Sequence, residues 1–356
     1  MAPRTSARPV RPAGARADDL SIVAIMPLYN GELWVEQSLT SILEQSVLPD
    51  EIIVVDDGST DGGAEVVRKI AATNPLIRII SQMNAGQSAA RNLAISLTKC
   101  AYVALIDQDD IWYPNHLEEL RDAVTRHHGL RLGWVYSDFD DIDLTGVLVQ
   151  RDFIEERKTQ NPKRDLVKVL EQGFIIQPSA TLISRAAILA VGGFDERLSG
   201  YEDDDLFLRI FMANYDNVYL PYPTSQWRIH ETSGGGSARM EASLKIYSNK
   251  LIEMFPNDKW RGIYYRSDII APRIINLWMQ MYIRASRYKN KEKMRLYARE
   301  ASLFVTYLRP RARLTFASIL FVLRQPLFIR FRTATVDDRS IGWAPFVALA
   351  RRYVRL

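Results

Sequence analysis

The chain has 356 residues, of which 47% are apolar and 25% are charged, so its composition is that of a folded globular protein and not of a disordered one. Its length favours two structural units. One cysteine and four histidines exclude a disulfide framework and a thiolate zinc site. This composition is typical of a reducing, cytosol-like compartment.

Charge is distributed unevenly, although 46 basic and 42 acidic residues leave a net charge of only +4. Residues 1–17 contain four arginines and no acidic residue, and residues 309–356 contain ten arginines and two aspartates. The remaining segment, 18–308, therefore has a net charge of −8. Because nucleic acids bind to basic grooves, this acidic body argues against a nucleic-acid partner.

The two ends of the chain differ from its body. Residues 1–19 are rich in Arg and Pro and have no apolar stretch, which is typical of a disordered leader and not of a secretory signal. The apolar segments 314–323 and 341–350 are closed by arginines and are shorter than the roughly 20 residues that span a bilayer. We therefore expect a cytoplasmic protein without a membrane-spanning helix.

From residue 21 onwards, β-branched runs alternate with amphipathic segments. The predicted strands cover 21–26 (ending at Pro27), 51–55, 77–81 and 102–106, and the predicted helices cover 32–45, 62–72 and 88–98. This alternation predicts an α/β fold with a mostly parallel sheet and helices on both faces. In such sheets, ligands bind beyond the carboxyl ends of the strands.

The rest of the chain divides into a mixed part and a helical part. Strands are predicted over 133–139, 179–184 and 217–220, helices over 185–191 and 202–212, and an almost wholly helical region from 238 to 323. We place a boundary near residue 235. The predicted domains are then 20–235, a helical subdomain over 236–308 and a basic amphipathic tail over 309–356.

An acidic run, Asp107–Asp110, follows the fourth predicted strand. Two carboxylates one residue apart at the end of a strand can share a crevice in which a divalent cation takes hard oxygen ligands. A solvated acidic turn is the alternative.

The second and third strands also end in residues with chemical potential. Asp57 and Gly58 follow the second strand, where a carboxylate can accept a hydrogen bond from a nucleobase or ribose; helix capping by the adjacent Ser59 is the alternative. Gly86 permits close backbone approach, and Arg91 in the next helix can reach a phosphate, or can be an ordinary surface residue. The chain contains neither a dinucleotide fingerprint nor a P-loop motif.

A second acidic run, Glu202–Asp205, begins a predicted helix. Four consecutive acids exceed what the helix dipole requires, so one of them is a candidate general base. Arg228 and His230 follow, two residues apart on one face of a strand, although a lone histidine is more often structural.

Together, these motifs resemble those of the family 2 glycosyltransferases over about residues 20–235. The agreement covers Pro27-x-Tyr29-Asn30, Asp56-Asp57-Gly58-Ser59, Asn84-x-Gly86 through Arg91-Asn92, Asp107-x-Asp109-Asp110, Glu202-Asp203 and Arg228-x-His230, in that order. The resemblance implies a GT-A fold and the inverting transfer of a sugar from a nucleotide-diphosphate sugar. It leaves residues 240–356 without an explanation.

The resemblance also implies roles for individual residues. The donor site would include Pro27, Tyr29, Asn30, Asp57, Gly86, Arg91, Asp107 and Arg228, with Asp57 on the base. Asp109 would hold Mn²⁺ or Mg²⁺ against the diphosphate, assisted by Asp107 and His230. Asp203 would be the general base beside Glu202, with Asp204 as the alternative if the register differs by one residue.

The sequence therefore predicts a metal-dependent enzyme that adds single sugars, since the Q-x-x-R-W signature of processive family members is absent. We expect a nucleotide-diphosphate sugar donor, most simply a UDP-sugar, and a glycan or polyprenyl-linked acceptor in the synthesis of a cell-surface polysaccharide. The alternatives are a sugar-nucleotidyltransferase and a non-catalytic module that binds nucleotide sugars. The first alternative requires basic residues after the first strand, and 28–32 contains none.

The tail 309–356 interleaves arginines with aromatic and aliphatic residues. This pattern favours peripheral binding to the inner face of the cell membrane, because apolar groups bury shallowly there while cations meet anionic head groups. Packing of these segments on the catalytic domain or on a second subunit is the alternative.

Overall fold

The computed structural model describes residues 19–229 and 238–325, which form two compact units. The first unit contains the described chain up to Lys158, Ile176–Glu196 and the chain from Asp205 to the end of the last strand. The second unit contains Thr159–Ile175, Arg197–Asp204 and the chain from 238 onwards. The predicted leader 1–19 lies outside the described residues except for Asp19, and so do the predicted boundary near 235 and the tail beyond Gln325.

The first unit is built on one mixed sheet. Its strands within the described residues are β1 (Ile22–Leu28), β2 (Glu51–Asp56), β3 (Ile77–Ser81), β4 (Tyr102–Leu105), β5 (Ile111–Trp112), β6 (Leu132–Ile142), β7 (Leu148–Gln150), β8 (Thr181–Ser184) and β9 (Asp216–Arg228). The strand order is β3-β2-β1-β4-β8-β6-β9-β5, and β7 pairs with β6.

The predicted α/β class is confirmed, and the sheet is more mixed than the alternation suggested. β3, β2, β1 and β4 are parallel, whereas β8 runs antiparallel to both β4 and β6. β6 and β9 are parallel to each other, and β5 and β7 are antiparallel additions. The carboxyl ends of β1, β2, β4, β6 and β9 therefore lie along one edge of the sheet, which we call the carboxyl edge.

The described helices follow the chain in both units. They are α1 (Val35–Leu43), α2 (Gly63–Ala71), α3 (Gln87–Leu97), α4 (His116–Arg126), α5 (Phe153–Glu156), α6 (Leu166–Gln172), α7 (Arg185–Ala190), α8 (Glu202–Met212), α9 (Ala238–Met254), α10 (Ala271–Arg287), α11 (Lys291–Val305) and α12 (Pro310–Arg324). A 3₁₀ turn covers Pro178–Ala180, and a π-helical turn covers Tyr265–Ile270.

Helices cover both faces of the first unit's sheet, as predicted. Alternate residues of β1 point to opposite faces, so its buried, apolar chain serves two layers. Ile22, Ala24, Met26 and Leu28 pack in the main core with apolar residues of α1, α2 and α4, and α3 packs on β1 and β2. Each fully buried aliphatic side chain of this kind contributes about 1.5–3 kcal/mol to burial free energy.

Two predicted strand ends were wrong. β1 continues through Pro27, which lies opposite Val55, and β9 continues beyond Leu220 to Arg228. In β9 the register shifts from Ser137↔Leu220 to Asp138↔Pro223, so the prolines lie at a bulge. A proline without an N–H is tolerated at such a position. The sequence analysis assigned no element to β5, β7, α4, α5 or α6.

The second unit is helical, and the predicted change to helix after residue 238 is confirmed. Its core includes Trp278 and Tyr282 of α10 and Phe304 of α11, and the Trp278 and Tyr297 rings lie 5.9 Å apart. Among the described residues, no helix is both long and apolar enough to cross a bilayer. Helix α8 begins with three residues of this unit, and its remaining residues belong to the first.

Candidate active site

Most predicted site residues of the first unit follow strand ends on the carboxyl edge. Tyr29 and Asn30 follow β1, Asp57 follows β2, Asp107 and Asp109 follow β4, and Arg228 ends β9. Pro27 lies inside β1, and Gly86 and Arg91 lie at and within α3. The parallel pairing of β1, β2 and β4 brings these loops together, as expected for an α/β ligand site.

Asp57 holds the loop between β3 and α3. It is 3% exposed, and its carboxylate accepts hydrogen bonds from Gln82 Nε2 (2.7 Å) and from the backbone N–H groups of Ala85 and Gly86 (2.8 Å each). Gly86 has φ of 91°, a conformation that L side chains rarely adopt. The first role that the structure gives to Asp57 is therefore to shape the loop that leads into α3.

Asn30 joins the loop after β1 to the loop after β2. Its backbone N–H donates to Ser59 Oγ (3.2 Å), and its side-chain oxygen accepts from the Thr60 N–H (2.8 Å). Asn30 itself has φ of 52°, which asparagine tolerates better than most residues. The loops thus fix each other by side-chain-to-backbone hydrogen bonds.

Gln108 ties the loop after β4 to the loop after β1. Its side-chain oxygen accepts from the Tyr29 N–H (2.8 Å), and its Nε2 donates to the Tyr29 carbonyl (3.1 Å). A Cβ on Gly31 would lie 2.6 Å from the Gln108 side chain, so only glycine permits this approach. The Gln108 side chain therefore points back to β1, whereas the Asp107 side chain points to Arg91.

Arg91 and Asp107 form an ion pair below this edge. Arg91 is fully buried, and its Nη2 donates to Asp107 Oδ1 at 2.6 Å. Burial raises the pKa of Asp107, and the adjacent Arg91 guanidinium opposes that rise. The structure therefore brings together two residues that the sequence motifs had only placed in the same site.

Asp110 is a buried structural residue. It is 1% exposed and accepts hydrogen bonds from Ser179 Oγ (2.5 Å), Gln177 Nε2 (2.9 Å) and the Arg228 N–H (3.1 Å). Burial, together with the nearby charges of Asp109 and Asp107, raises the pKa of Asp110 well above its usual range. Asp110 thereby fixes the acidic run to the residues before β8 and to the end of β9.

Arg228 lies behind the acidic run, with its donors directed at neutral oxygens. The Nε donates to the Asp109 carbonyl (2.9 Å), Nη2 donates to Gln37 Oε1 (2.8 Å), and Nη1 donates to the carbonyls of Asp143 and Leu144 (3.1 and 3.2 Å). The residue is 1% exposed. These contacts give Arg228 a positioning role. Its contact with the sugar donor stays a prediction.

The acidic run has the chemistry that a divalent cation requires. Burial and mutual repulsion raise the pKa of Asp107 and Asp110. Arg91, which pairs with Asp107, and Arg228, which interacts electrostatically with Asp109 and Asp110, offset part of this negative charge. Hard carboxylate oxygens with excess negative charge suit Mg²⁺ or Mn²⁺. Within 19–229 and 238–325, however, no group of three or more acidic, His or Cys residues is close enough to form a complete metal site. The predicted ligand His230 lies outside those residues.

The second acidic run begins α8, as predicted, and its members have different environments. Asp204 accepts the Phe174 N–H (3.2 Å) and pairs with Arg273 Nη2 (3.4 Å) within the second unit. Asp205 is 1% exposed and pairs with Arg209 one turn further along α8 (2.8 Å). Glu202 is buried and Asp203 is half-buried.

Sequence analysis missed the residues that support the site. These residues are neutral and occur in no recognisable motif: Gln108, Gln37, Gln177 and Ser179. No feature of the sequence distinguishes the last three. Gln108 alone had a usable signal, since it is the one neutral residue within the acidic run.

The chain contains a family 2 glycosyltransferase domain. The sequence profile of the family described as "Glycosyl transferase family 2" matches residues 23–191, which include the acidic run after β4 and the loops after β1 and β2. The resemblance drawn from the motifs is therefore confirmed over that segment.

Two chondroitin synthases are among the similar curated proteins. The Pasteurella multocida enzyme is 28% identical over 185 residues, and the Escherichia coli enzyme is 29% identical over 188 residues. Each alignment covers 52% of this chain but only 18% and 26% of the respective synthase. The chain thus spans a minor part of the length of these relatives.

Solved structures confirm the GT-A type of fold. S. aureus TarS 1–349 in complex with UDP-GlcNAc superimposes with a TM-score of 0.61 at 18% identity, covering 88% of each chain. The mannosyltransferase PcManGT from Pyrobaculum calidifontis, in complex with GDP-Man and Mn²⁺, gives a TM-score of 0.51 at 19% identity, covering 88% of this chain and 83% of the other.

Proposed function

We propose that the protein is an inverting glycosyltransferase that moves one sugar from a nucleotide-diphosphate sugar to a hydroxyl group of an acceptor. The observation that carries the proposal is the carboxyl edge, where the family 2 motifs after β1, β2 and β4 are fixed to one another by Asn30, Asp57 and Gln108. Such mutual fixing provides a preorganised site, and preorganisation of charged groups is a main source of catalysis.

In the proposed reaction, the acceptor oxygen attacks the anomeric carbon while the bond from that carbon to the diphosphate oxygen breaks. The electron pair of that bond leaves with the nucleoside diphosphate, and the proton of the hydroxyl group passes to a carboxylate. Attack from the side opposite the leaving group inverts the anomeric configuration. No covalent intermediate and no additional reactant is required.

Asp109, with Asp107 and His230, is the proposed holder of Mn²⁺ or Mg²⁺. When bound, such a cation neutralises charge on the diphosphate. Arg91 holds Asp107 in place through the buried ion pair, and Arg228 holds the Asp109 carbonyl. Gln108 fixes the loop after β4 to the loop after β1 through two hydrogen bonds to the backbone of Tyr29.

Asp203 is the proposed general base. The family motif, which places a carboxylate at the start of this helix, supports Asp203, and Asp204 is the alternative if the register differs by one residue. Asp204 pairs with Arg273, and Asp205 pairs with Arg209. Glu202, which is buried, is proposed to support the first turn of α8.

The donor is proposed to be a UDP-sugar and the acceptor a glycan or a polyprenyl-linked glycan in the synthesis of a cell-surface polysaccharide. TarS, solved in complex with UDP-GlcNAc, supports a UDP-sugar by similarity, and the chondroitin synthases support a glycan acceptor. PcManGT, in complex with GDP-Man, supports a different nucleotide. We further propose that the protein works in the cytoplasm, on the inner face of the membrane, with the tail 309–356 on the lipid surface.

A donor screen tests this proposal. Purified protein is incubated with UDP-, GDP- and dTDP-sugars, with and without Mn²⁺ or Mg²⁺, and release of nucleoside diphosphate is measured. We expect release from one nucleotide class only, dependent on the cation. Once an acceptor is found, the NMR coupling constant of the new anomeric proton reports inversion. Formation of a nucleotide sugar from a sugar phosphate would instead identify a nucleotidyltransferase, and nucleotide-sugar binding without turnover would identify a binding module.

A further inference from the structure

A tight turn in the second unit displays a tryptophan completely to solvent. Trp260 is 100% exposed, whereas Trp112, Trp134 and Trp278 are buried. Exposing so large an apolar ring forfeits the free energy that its burial would provide. The backbone around Trp260 holds the ring in this exposed position, as the hydrogen bonds of the turn show.

The turn that carries Trp260 is fixed by its own backbone and by one side chain. Asp258 and Ile263 exchange two backbone hydrogen bonds (2.7 and 2.9 Å), and Asp258 Oδ1 accepts the N–H groups of Trp260 and Arg261 (3.1 Å each). Gly262, with φ of 68°, closes the turn. The ring is therefore held outward by a defined loop.

Basic side chains surround the tip of this turn. Lys259 and Arg261 flank Trp260 and are exposed. The carboxylate of the turn is that of Asp258, which accepts the backbone N–H groups of the turn and also forms an exposed ion pair with Arg261 (3.7 Å). The tip thus presents one aromatic ring between two cations.

Arg309 connects the end of this turn to the start of α12. Its guanidinium lies over the Tyr264 ring, 4.5 Å from the centroid, and forms a two-bond ion pair with Asp268. Tyr264 directly follows Ile263, and Pro310 is the first residue of α12. The turn and the helix start are thereby held together within the second unit.

Helix α12 has an outward face of similar chemistry. Leu314 is 73% exposed and Phe321 is 68% exposed, and their spacing of seven residues places them on one side of the helix. Phe316, Leu320 and Leu323 occupy the buried side. The helix contains Arg311, Arg313 and Arg324 and no acidic residue.

We infer that the Trp260 turn and the outward face of α12 form a docking surface for an anionic lipid bilayer. Tryptophan is favoured at the membrane interface, where its ring is apolar and its N–H meets water, and each nearby Lys or Arg adds attraction to anionic head groups. A protein partner or a second copy of the chain would not require that α12 contain arginines and no acidic residue. The inference deepens the proposed membrane role of the tail and rests on it in part, because α12 belongs to the tail 309–356, whereas the Trp260 turn lies outside the tail.

Vesicle flotation of the full-length protein tests this surface. Wild type, Trp260→Ala and Lys259→Glu/Arg261→Glu are mixed with phosphatidylglycerol-rich vesicles and with pure phosphatidylcholine vesicles. We expect wild type to float with the anionic vesicles, Trp260→Ala to bind at least about tenfold more weakly, and the charge reversals to lose about fivefold or more per cation. Leu189→Ala, which shortens an exposed apolar side chain of the first unit, should float like wild type.

A second measurement separates insertion from other contacts. Lipids brominated at shallow chain positions should quench a part of the tryptophan fluorescence that Trp260→Phe removes. Wild-type flotation unchanged in Trp260→Ala and in Leu314→Glu/Phe321→Glu would overturn the inference. So would a concentration-dependent dimer in sedimentation that Trp260→Ala abolishes. Cation-dependent release of nucleoside diphosphate in solution should be unaffected by Trp260→Ala, so failure of this inference is distinguishable from failure of the proposed function.

Discussion

The two acidic runs of the chain, Asp107–Asp110 and Glu202–Asp205, are similar in sequence and differ in how the fold uses them. In the first run, alternate positions after β4 point in different directions, so that Asp107 meets Arg91, Asp110 is buried on Ser179 and Asp109 is carried on a backbone held by Arg228. The second run forms the first turn of α8, so its successive side chains point in different directions around the helix axis. Asp204 therefore meets Arg273, and Asp205 meets Arg209.

The comparison teaches that neighbouring side chains fix the members of an acidic run in different ways. An arginine holds Asp107, and a set of buried donors holds Asp110. In the proposed reaction, Asp109 serves as the cation ligand of the first run and Asp203 as the base of the second.

The largest expected effects come from the proposed base and the proposed cation ligand. Asp203→Asn should lower sugar transfer by roughly 10²–10⁴-fold with little change in donor binding, because the isosteric amide cannot accept the proton. Steady-state transfer rates and donor calorimetry measure the two quantities. Asp204→Asn is the matched control, and it should reduce stability more than it reduces transfer. The opposite result would move the base to Asp204.

Asp109→Asn should remove the dependence of nucleotide binding on a divalent cation and lower transfer by roughly 10²–10⁴-fold. Calorimetry of UDP binding with Mn²⁺ and with EDTA, together with a thermal unfolding curve, checks this. Asp122→Asn, on the exposed side of α4, is the control. Equal UDP affinity of the wild type with and without EDTA would contradict the assignment of the first run to metal binding.

Arg228→Met tests the supporting members and should cost about 2–4 kcal/mol of stability, since several buried carbonyls lose a charged donor. Denaturant unfolding measures this loss. Arg68→Met removes an arginine of comparable size from an exposed ion pair with Glu65, and it should change stability by no more than about 0.5 kcal/mol. If both variants are equally stable, the hydrogen bonds of Arg228 behind the acidic run do not contribute to the free energy of unfolding.

The smallest expected effect concerns a buried acid outside both runs. Burial raises the pKa of Asp141 on β6 from 3.8 to about 6; Arg157 opposes the rise, and Asp140 and Asp138 add to it. The folded state therefore binds this proton more tightly than the unfolded chain, so the carboxyl contributes stability below about pH 4 and loses that contribution as pH rises through 6.

Asp141→Asn should accordingly be more stable than wild type by about 1–2 kcal/mol at pH 7.5, and the difference should vanish near pH 4. Chemical denaturation at both pH values measures it. Asp122→Asn again serves as the control and should show no such pH-dependent difference. A destabilised Asp141→Asn at pH 7.5 would mean that the charged carboxylate has a partner worth more than its burial costs.

Local patterns were sufficient to predict much of the first unit. The β-branched runs of β1, β2, β3 and β4 and the apolar spacing of the helices between them placed those elements within a few residues of their observed bounds. The prediction failed in β9, which was expected to end at Leu220. A bulge there lets the chain continue to Arg228, and a bulge depends on the partner strand β6.

By itself, the sequence determined the α/β alternation, the helical second unit and the motifs that identify family 2, because these depend on local periodicity and on short spacings. Only the tertiary structure decided which hydrogen-bond and ion-pair partners each acid of the two runs has. The partners of Asp110 are Ser179 and Arg228, far along the chain, and Asp204 is paired with Arg273. A carboxylate's burial and partners set its charge and its freedom to react, and these belong to residues that only folding brings into contact.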